Sequence, residues 1–391
     1  MDPDAPFLSI VAGSTLVDAA VAGAALFLHR EPPGAGERPV IGLGRVAWAA
    51  AVTAAVFLIK LAFLTQQGVG FFGWVHLVYA DLVVLIPAAC LAVLASSRPD
   101  RDGRPWRRLT PPVRRLAWAG LGLALVGVYA TLIEPFRLRL ESARVRVSSR
   151  REGTGVVRVG VLTDLQTTRV TDYERSAIDR LMAQRPDVVL IPGDVFQGNQ
   201  EQFEATREPL RQLFERLIAA PGGVYLVFGD TEGPGDHLRD LLRSMPVRIL
   251  VNEAERVQVG DRRLTIGGVE LNYDSGPARR LVDRLESDPD EGDVRILLAH
   301  RPDVALGLRP RSRVDLVVAG HTHGGQIVVP GFGPPMTLSN VPRAVAAGGL
   351  HAIAGNAIYV SRGVGCERNQ APRIRFLCPP EISLLEVGAR D

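Results

Sequence analysis

Lysine is almost missing from this chain: of 45 basic residues only Lys60 is lysine, and the rest are arginine. Cysteine is as sparse, with three in 391 residues. Three are too few for a disulfide framework. Cys90 falls in an apolar stretch, and Cys366 and Cys378 flank the last apolar runs. The latter two could pair in an oxidising compartment, but free thiols are the expectation. There is no internal repeat and no low-complexity tract. Net charge is only +3, and the cationic clusters lie between apolar stretches. That gives no case for nucleic-acid binding; anionic lipid headgroups are the expected partner of such clusters. Nothing in the pattern points to a protein partner.

What is abundant is apolar sequence near the amino terminus. Four stretches stand out: Phe7–Leu28, Val46–Leu64, Phe71–Ala95 and Leu116–Ile133. A spanning helix needs about 20 residues. The first stretch is a poor signal peptide, because Met1-Asp2-Pro3-Asp4 is acidic where a signal is basic. The expectation is an all-α transmembrane bundle of four helices over 1–134, a linker with a first edge strand over 135–155, and a second domain over 156–391. The lipid bilayer is then a partner. Arg30, Arg38 and Arg45 lie between the first two stretches. Arg98, Arg101, Arg104, Arg107, Arg108, Arg114 and Arg115 lie between the third and fourth. The connection Thr65–Gly70 has none. Positive loops stay in the cytoplasm, so both termini and the soluble domain are expected outside the cell membrane. The basic run Arg137–Arg151 argues the other way, but charges leading into a large translocated domain count for less. Asp18, Lys60 and Asp81 sit within the apolar stretches. Ionisable groups in a bilayer pair or face a cavity, so Lys60 is expected to pair with Asp18 or Asp81.

The remainder reads as alternating strands and helices. Val157–Leu162 ends at Asp164, Val188–Ile191 at Asp194, Val224–Phe228 at Asp230, Ile296–Ala299 at His300, and Val314–Val318 at His321 and His323. Short apolar runs rich in Val, Ile and Leu are strands buried on both faces. Helical segments Tyr173–Gln184 and Gln202–Ala219 separate the first three. That is an α/β arrangement with roughly parallel strands, whose carboxyl ends share one edge, where ligands bind. Three aspartates and three histidines would gather there. Carboxylates with imidazoles and no thiolate suit Mn, Fe or Zn. Six groups suit two divalent ions, an arrangement that clamps a phosphate and activates water.

The motifs resemble those of the calcineurin-like metallophosphoesterase superfamily, in its bacterial membrane-associated phosphodiesterase-like branch. The resemblance covers about residues 134–391. It rests on Thr163-Asp164-Leu165-Gln166, Gly193-Asp194, Gly229-Asp230-Thr231-Glu232, His300 and Gly320-His321-Thr322-His323-Gly324-Gly325-Gln326. Ser361-Arg362-Gly363-Val364-Gly365 and Pro379-Pro380-Glu381-Ile382 add to it. It implies two packed β-sheets flanked by helices and a phosphoesterase acting on a phosphodiester or phosphomonoester. It also implies that Asp164, Asp194 and His323 bind one metal, and that Asp194 bridges to a second held by Asp230, His300 and His321. A metal-activated hydroxide would attack phosphorus. The membrane stretches extend the substrate to lipid-linked or envelope phosphoesters.

Two positions depart from the family pattern. Gln166 stands where a histidine ligand is usual; its side-chain oxygen is a weaker candidate ligand. Gly229-Asp230-Thr231-Glu232 replaces the usual Gly-Asn-His-Asp, so Asp230 adds a charge and Thr231 takes the place of the histidine that steadies the transition state. His237 is a candidate replacement, against the plainer reading of a surface histidine at a helix start. Arg362 is a candidate phosphate contact, with a structural ion pair as the alternative. Gln166 and Thr231 also leave open a non-catalytic metal-binding regulatory module on a membrane protein.

Overall fold

The computed structural model describes residues 5–28, 39–98, 107–232 and 236–388. Arg30, Arg38, Arg101 and Arg104 lie outside the described residues. The chain divides into two compact units, Met1–Thr131 with Glu367–Arg373, and Leu132–Cys366 with Ile374–Asp391.

Four helices are long and apolar enough to cross a membrane: Phe7–Leu28, Leu43–Gln66, Phe71–Ser96 and Pro111–Phe136. Between 6% and 28% of each apolar window is buried, so most of their surface faces outward. The second and fourth start earlier than hydropathy alone suggests, placing Arg45, Arg114 and Arg115 at helix starts. Pro111 and Pro112 open the fourth helix, where a missing N–H costs nothing. The third is not one regular helix. A π-helical turn, Asp81–Leu85, joins Phe71–Ala80 to Ile86–Ser96. Pro87 supplies no N–H to the carbonyl one turn back, and the wider turn accommodates the gap. Lys60 Nζ donates to Asp18 Oδ2 and, at 3.1 Å, to the Ser14 carbonyl. The lysine pairing therefore chooses Asp18. In the same unit, the Gln370 side chain accepts from Gly70 N–H at 2.7 Å and donates to the Gly68 carbonyl at 2.9 Å.

The second unit is built on two six-stranded sheets. Its strands are β1 Arg139–Val145, β2 Val157–Val161, β3 Val188–Ile191, β4 Val224–Leu226, β5 Val247–Ile249 and β6 Glu253–Val259. The others are β7 Arg262–Gly268, β8 Val294–Leu298, β9 Leu316–Ala319, β10 Gly349–Ile353, β11 Asn356–Val360 and β12 Glu381–Val387. One sheet runs β1-β12-β2-β3-β4-β5 and the other β10-β11-β9-β8-β7-β6. Strands β2 to β5 are mutually parallel, as are β7, β8, β9 and β11. Antiparallel pairing enters through β12 on β2, β6 on β7 and β10 on β11. The expected parallel strands thus form two sheets, each with antiparallel additions.

Alternation along the strands explains the layering. Val188 and Leu190 face the inter-sheet core, with Val159, Val161, Ile296, Leu298, Leu316 and Val318. Val189 and Ile191 face the opposite way, against Leu210, Leu213 and Leu217. Those leucines lie on helix Gln200–Leu217, which Asn199 and Gln202 cap reciprocally. Thr171 and Glu174 do the same for helix Asp172–Met182. Helix Gly276–Ser287 covers the outer face of the second sheet through Ala278, Leu281 and Leu285. The result is helices, sheet, sheet, helices, with parallel strands buried on both faces. Cys366 and Cys378 are buried free thiols, and Cys90 is also free.

Candidate metal centre

Each candidate ligand follows the carboxyl end of a parallel strand. Asp164 follows β2, Asp194 follows β3 and Asp230 follows β4; His300 follows β8, and His321 and His323 follow β9. The aspartates come from one sheet and the histidines from the other. Two sets of ligand atoms converge, each lying within 4.8 Å of one another: Asp230, His300 and His321, and Asp164, Asp194 and His300. His323 lies beside the second set, with Nε2 3.8 Å from Asp164 Oδ1.

The turns that deliver these groups are conformationally costly. Asp164, Gln166, Asp194, His321 and His323 all have positive φ, between 39° and 70°. Non-glycine residues rarely adopt that region, and such outliers collect at functional sites. Neighbouring glycines make room. A Cβ on Gly229 would lie 2.1 Å from Asp194 Oδ1, and one on Gly320 2.4 Å from Asp164 Oδ2. The Ser361–Gly365 motif works through its backbone: Val364 and Gly365 N–H donate to the Thr163 and Asp164 carbonyls at 3.1 and 2.7 Å. The fully buried Arg375 guanidinium backs this loop, donating to the carbonyls of Arg362 at 2.7 Å, Gly365 at 2.6 Å and Cys378 at 3.2 Å.

Hydrogen bonds aim the side chains. Thr231 N–H and Oγ1 donate to Asp194 Oδ1 at 2.9 and 3.2 Å. Gln166 Nε2 donates to Asp194 Oδ2 at 3.0 Å, so Gln166 meets the bridging candidate as a hydrogen-bond donor. His321 N–H donates to both Asp164 oxygens, at 3.1 and 3.2 Å. His300 Nδ1 is 2.7 Å from the Pro192 carbonyl, which fixes the proton there and turns Nε2 inward, 3.2 Å from Asp230 Oδ2 and 3.6 Å from Asp194 Oδ1. His321 Nε2 is 3.2 Å from the Leu338 carbonyl, leaving Nδ1 2.8 Å from Asp230 Oδ2. Backbone carbonyls orienting histidines in this way are the usual outer layer of a metal site.

Electrostatics test whether a metal fits. Burial, reinforced by the Asp194 carboxylate, pushes Asp164 up to about 7. Burial opposes the charged form of His300, but Asp194, Asp230 and Asp164 outweigh it and push the imidazole up to about 10. Burial would also raise Asp230, yet hydrogen bonds from His300, His321 and Arg301 hold it well below the usual carboxylate range. Burial and the Arg375 charge keep His323 neutral, well below its ordinary value. Its buried Nδ1 has no hydrogen-bond partner among the described residues. Crowded carboxylates, among them an Asp164 pushed toward protonation, beside a neutral imidazole with an unused nitrogen, fit divalent cations.

Sequence reasoning missed three contributors. Glu232 accepts from the N–H groups of Asp194 at 3.0 Å, Val195 at 2.5 Å and Gly229 at 2.8 Å, tying the second and third motifs together. Arg301 donates to Asp230 Oδ1. Cys378 Sγ is 3.3 Å from the His323 carbonyl. Arg301 follows His300 directly and Glu232 lies two residues past Asp230, which was the available signal. Other expectations change. Arg362 is committed to Glu381 at 2.5 Å and Glu141 at 2.6 Å, which is the ion-pair alternative. His237 stacks near Phe203, ring centroids 5.2 Å apart, and belongs to neither ligand group.

Residues 157–325 match the family model for calcineurin-like phosphoesterases. The chain carries a calcineurin-like metallophosphoesterase domain. It is 29% identical over 245 residues to the phosphodiesterase YaeI of Escherichia coli, covering 61% of this chain and 84% of that protein. It is 29% identical over 240 residues to the metallophosphoesterase YkuE of Bacillus subtilis, covering 59% and 74%. A transmembrane protein with a metallophosphoesterase domain from Danio rerio is 29% identical over 208 residues, covering 49% and 45%. Among solved structures, a dimetal phosphatase from Danio rerio matches with a TM-score of 0.35 and 14% identity, over 54% of this chain and 88% of that one. The metallophosphoesterase domain is a phosphoester hydrolase, and its ligand groups suit divalent metal.

Proposed function

We propose that the chain is an integral membrane phosphodiesterase whose metal-dependent domain faces the extracytoplasmic side and hydrolyses a lipid-linked or envelope phosphoester. Phosphomonoesters fall within the same chemistry. The observation that carries the reading is the convergence of Asp164, Asp194, Asp230, His300 and His321 in two ligand groups. The relative named a phosphodiesterase supports diester chemistry. The four apolar helices and the arginine-rich connections between them support the membrane placement.

His300 has one nitrogen to give, because Nδ1 is held by Pro192. Nε2 lies nearer Asp230 than Asp194, so His300 would serve the ion held by Asp194, Asp230 and His321, while Asp164, Asp194 and His323 would hold the other. Mn, Fe and Zn all suit this donor set. Bound divalent ions supply Lewis acidity and lower the pKa of water from about 15.7 towards roughly 7. The protein supplies position. Thr231 and Gln166 hold opposite oxygens of Asp194, so that its carboxylate keeps one orientation. Thr231 thus acts in place of a histidine by positioning, not by proton transfer. Arg301 neutralises Asp230 on the exposed side and offers a guanidinium to an anionic substrate.

The test is hydrolysis of bis(p-nitrophenyl) phosphate and p-nitrophenyl phosphate by the purified protein with Mn, Fe or Zn. Asp194→Asn should lower kcat by at least about a hundredfold. Turnover that survives in Asp194→Asn would overturn the assignment.

A further inference from the structure

Large apolar side chains are seldom exposed in the second unit, yet four exposed ones fall within ten residues: Val329, Phe332, Met336 and Leu338. Phe332 and Leu338 are each 56% exposed. The segment between β9 and β10 that carries them is pinned to the metal centre. The Leu338 carbonyl is the partner of His321 Nε2. Ser339 Oγ and Asn340 N–H donate to Asp303, three residues beyond His300, at 2.6 and 2.7 Å. Leu338 itself has a positive φ of 50°, a conformation these bonds hold. The Arg343 guanidinium lies 4.3 Å from the Phe332 ring centroid. Exposed apolar side chains gathered on a segment bonded to a candidate site mark a binding surface. The Arg343 guanidinium beside Phe332 matches an amphiphile with an anionic head and an apolar tail.

We propose that this segment is a docking lip for the acyl chain of a membrane lipid phosphoester, seating the chain on Phe332 and Met336 while the phosphate lies in the metal centre. The proposal rests on the phosphoesterase reading above and narrows its substrate to a lipid. The occupant follows from the same chain: its four apolar helices suit a bilayer, and the lip is bonded to His321 of the proposed phosphate-handling site. Burying methylene groups on the lip strengthens binding with each carbon added.

The experiment uses the full chain in lipid nanodiscs, loaded with Mn, and p-nitrophenyl alkyl phosphates from methyl to dodecyl. Water adds to phosphorus and p-nitrophenolate leaves in every member, so only the tail varies. The expected result is a rise in kcat/KM of at least about tenfold along the series, reduced to less than about threefold in Phe332→Ser/Met336→Ser. A flat series in the wild type overturns the proposal, and so does an undiminished rise in the double variant. A flat series together with dimers that the double variant dissolves would give the surface to a second copy of the chain. Failure of the phosphoesterase reading is separable. Phe332→Trp emission should be quenched by ω-bromododecyl phosphate beyond the quenching seen in the wild type. Quenching without turnover of any ester keeps the lip and removes the catalytic reading. Absence of extra quenching overturns the lip.

Discussion

Arg301 donates to one oxygen of Asp230 while His300 and His321 approach the other. One carboxylate thus has an arginine on its exposed side and two imidazoles on its buried side. The aspartate adds a charge where the family pattern has asparagine, and the adjacent arginine balances it. Arg301 and a metal ion compete for that carboxylate. Arg301→Ala should therefore tighten binding of the second ion by about tenfold, or ~1.4 kcal/mol, while lowering kcat/KM by a similar factor. Calorimetric metal titration beside steady-state kinetics checks the split. Weaker metal binding in the variant would contradict it.

Acidity should stabilise the metal-free protein. Asp164 and Glu232 are each raised to about 7 and His300 to about 10. A group raised above its unfolded value contributes stability while protonated and loses it as pH rises through its folded value. All three act in that direction, from about pH 4 to about pH 10. Asp230 is lowered and acts oppositely, but only near and below the ordinary carboxylate range. Between about pH 6 and 9 the melting temperature of chelator-treated protein should fall by at least about 5 °C. Mn would take the place of the protons on Asp164 and His300, so loaded protein should fall by less than half as much. A rise with pH in the metal-free protein would refute the assignment.

Glu232→Gln should loosen the junction of the second and third motifs. The carboxylate accepts several backbone N–H groups at once, and an amide offers one oxygen and two competing donors. The expected loss is about 1.5–3 kcal/mol, seen in denaturant melts, with kcat reduced because Asp194 loses its fixed backbone. Wild-type kcat in the variant would leave Glu232 a stability role only.

In the apolar helices, Lys60→Met should strand Asp18, which is fully buried. Breaking a buried pair from one side costs about 3–5 kcal/mol. Detergent melts should show that loss, and Asp18→Asn in the same background should recover part of it. Unchanged stability of Lys60→Met would remove the pair as a structural element.

Much of this was legible from the strand ends. Asp164, Asp194, Asp230, His300 and His321 are where apolar runs stop, because buried parallel strands leave a distinctive pattern and their ends must carry the polar chemistry. Less legible were groups that act through the backbone. Glu232 binds amide N–H groups, and Arg375 binds carbonyls; neither interaction leaves a side-chain pairing to read. Arg362 illustrates the converse: an arginine in a motif looks available until Glu141 and Glu381 close on it from distant strands. The π-helical turn at Asp81–Leu85 was hidden because hydropathy is blind to hydrogen-bond register, although Pro87 was in view.

The bond from Gly70 to Gln370 spans 300 residues. The helices on either side of Gly68 and Gly70 leave the ribosome long before their last partner exists. Until Gln370 is made, that connection lacks these two partners. Only when the segment Glu367–Arg373 arrives does the first unit acquire its final piece. The first unit is thus completed only after strands β1 to β11 of the second have been synthesised.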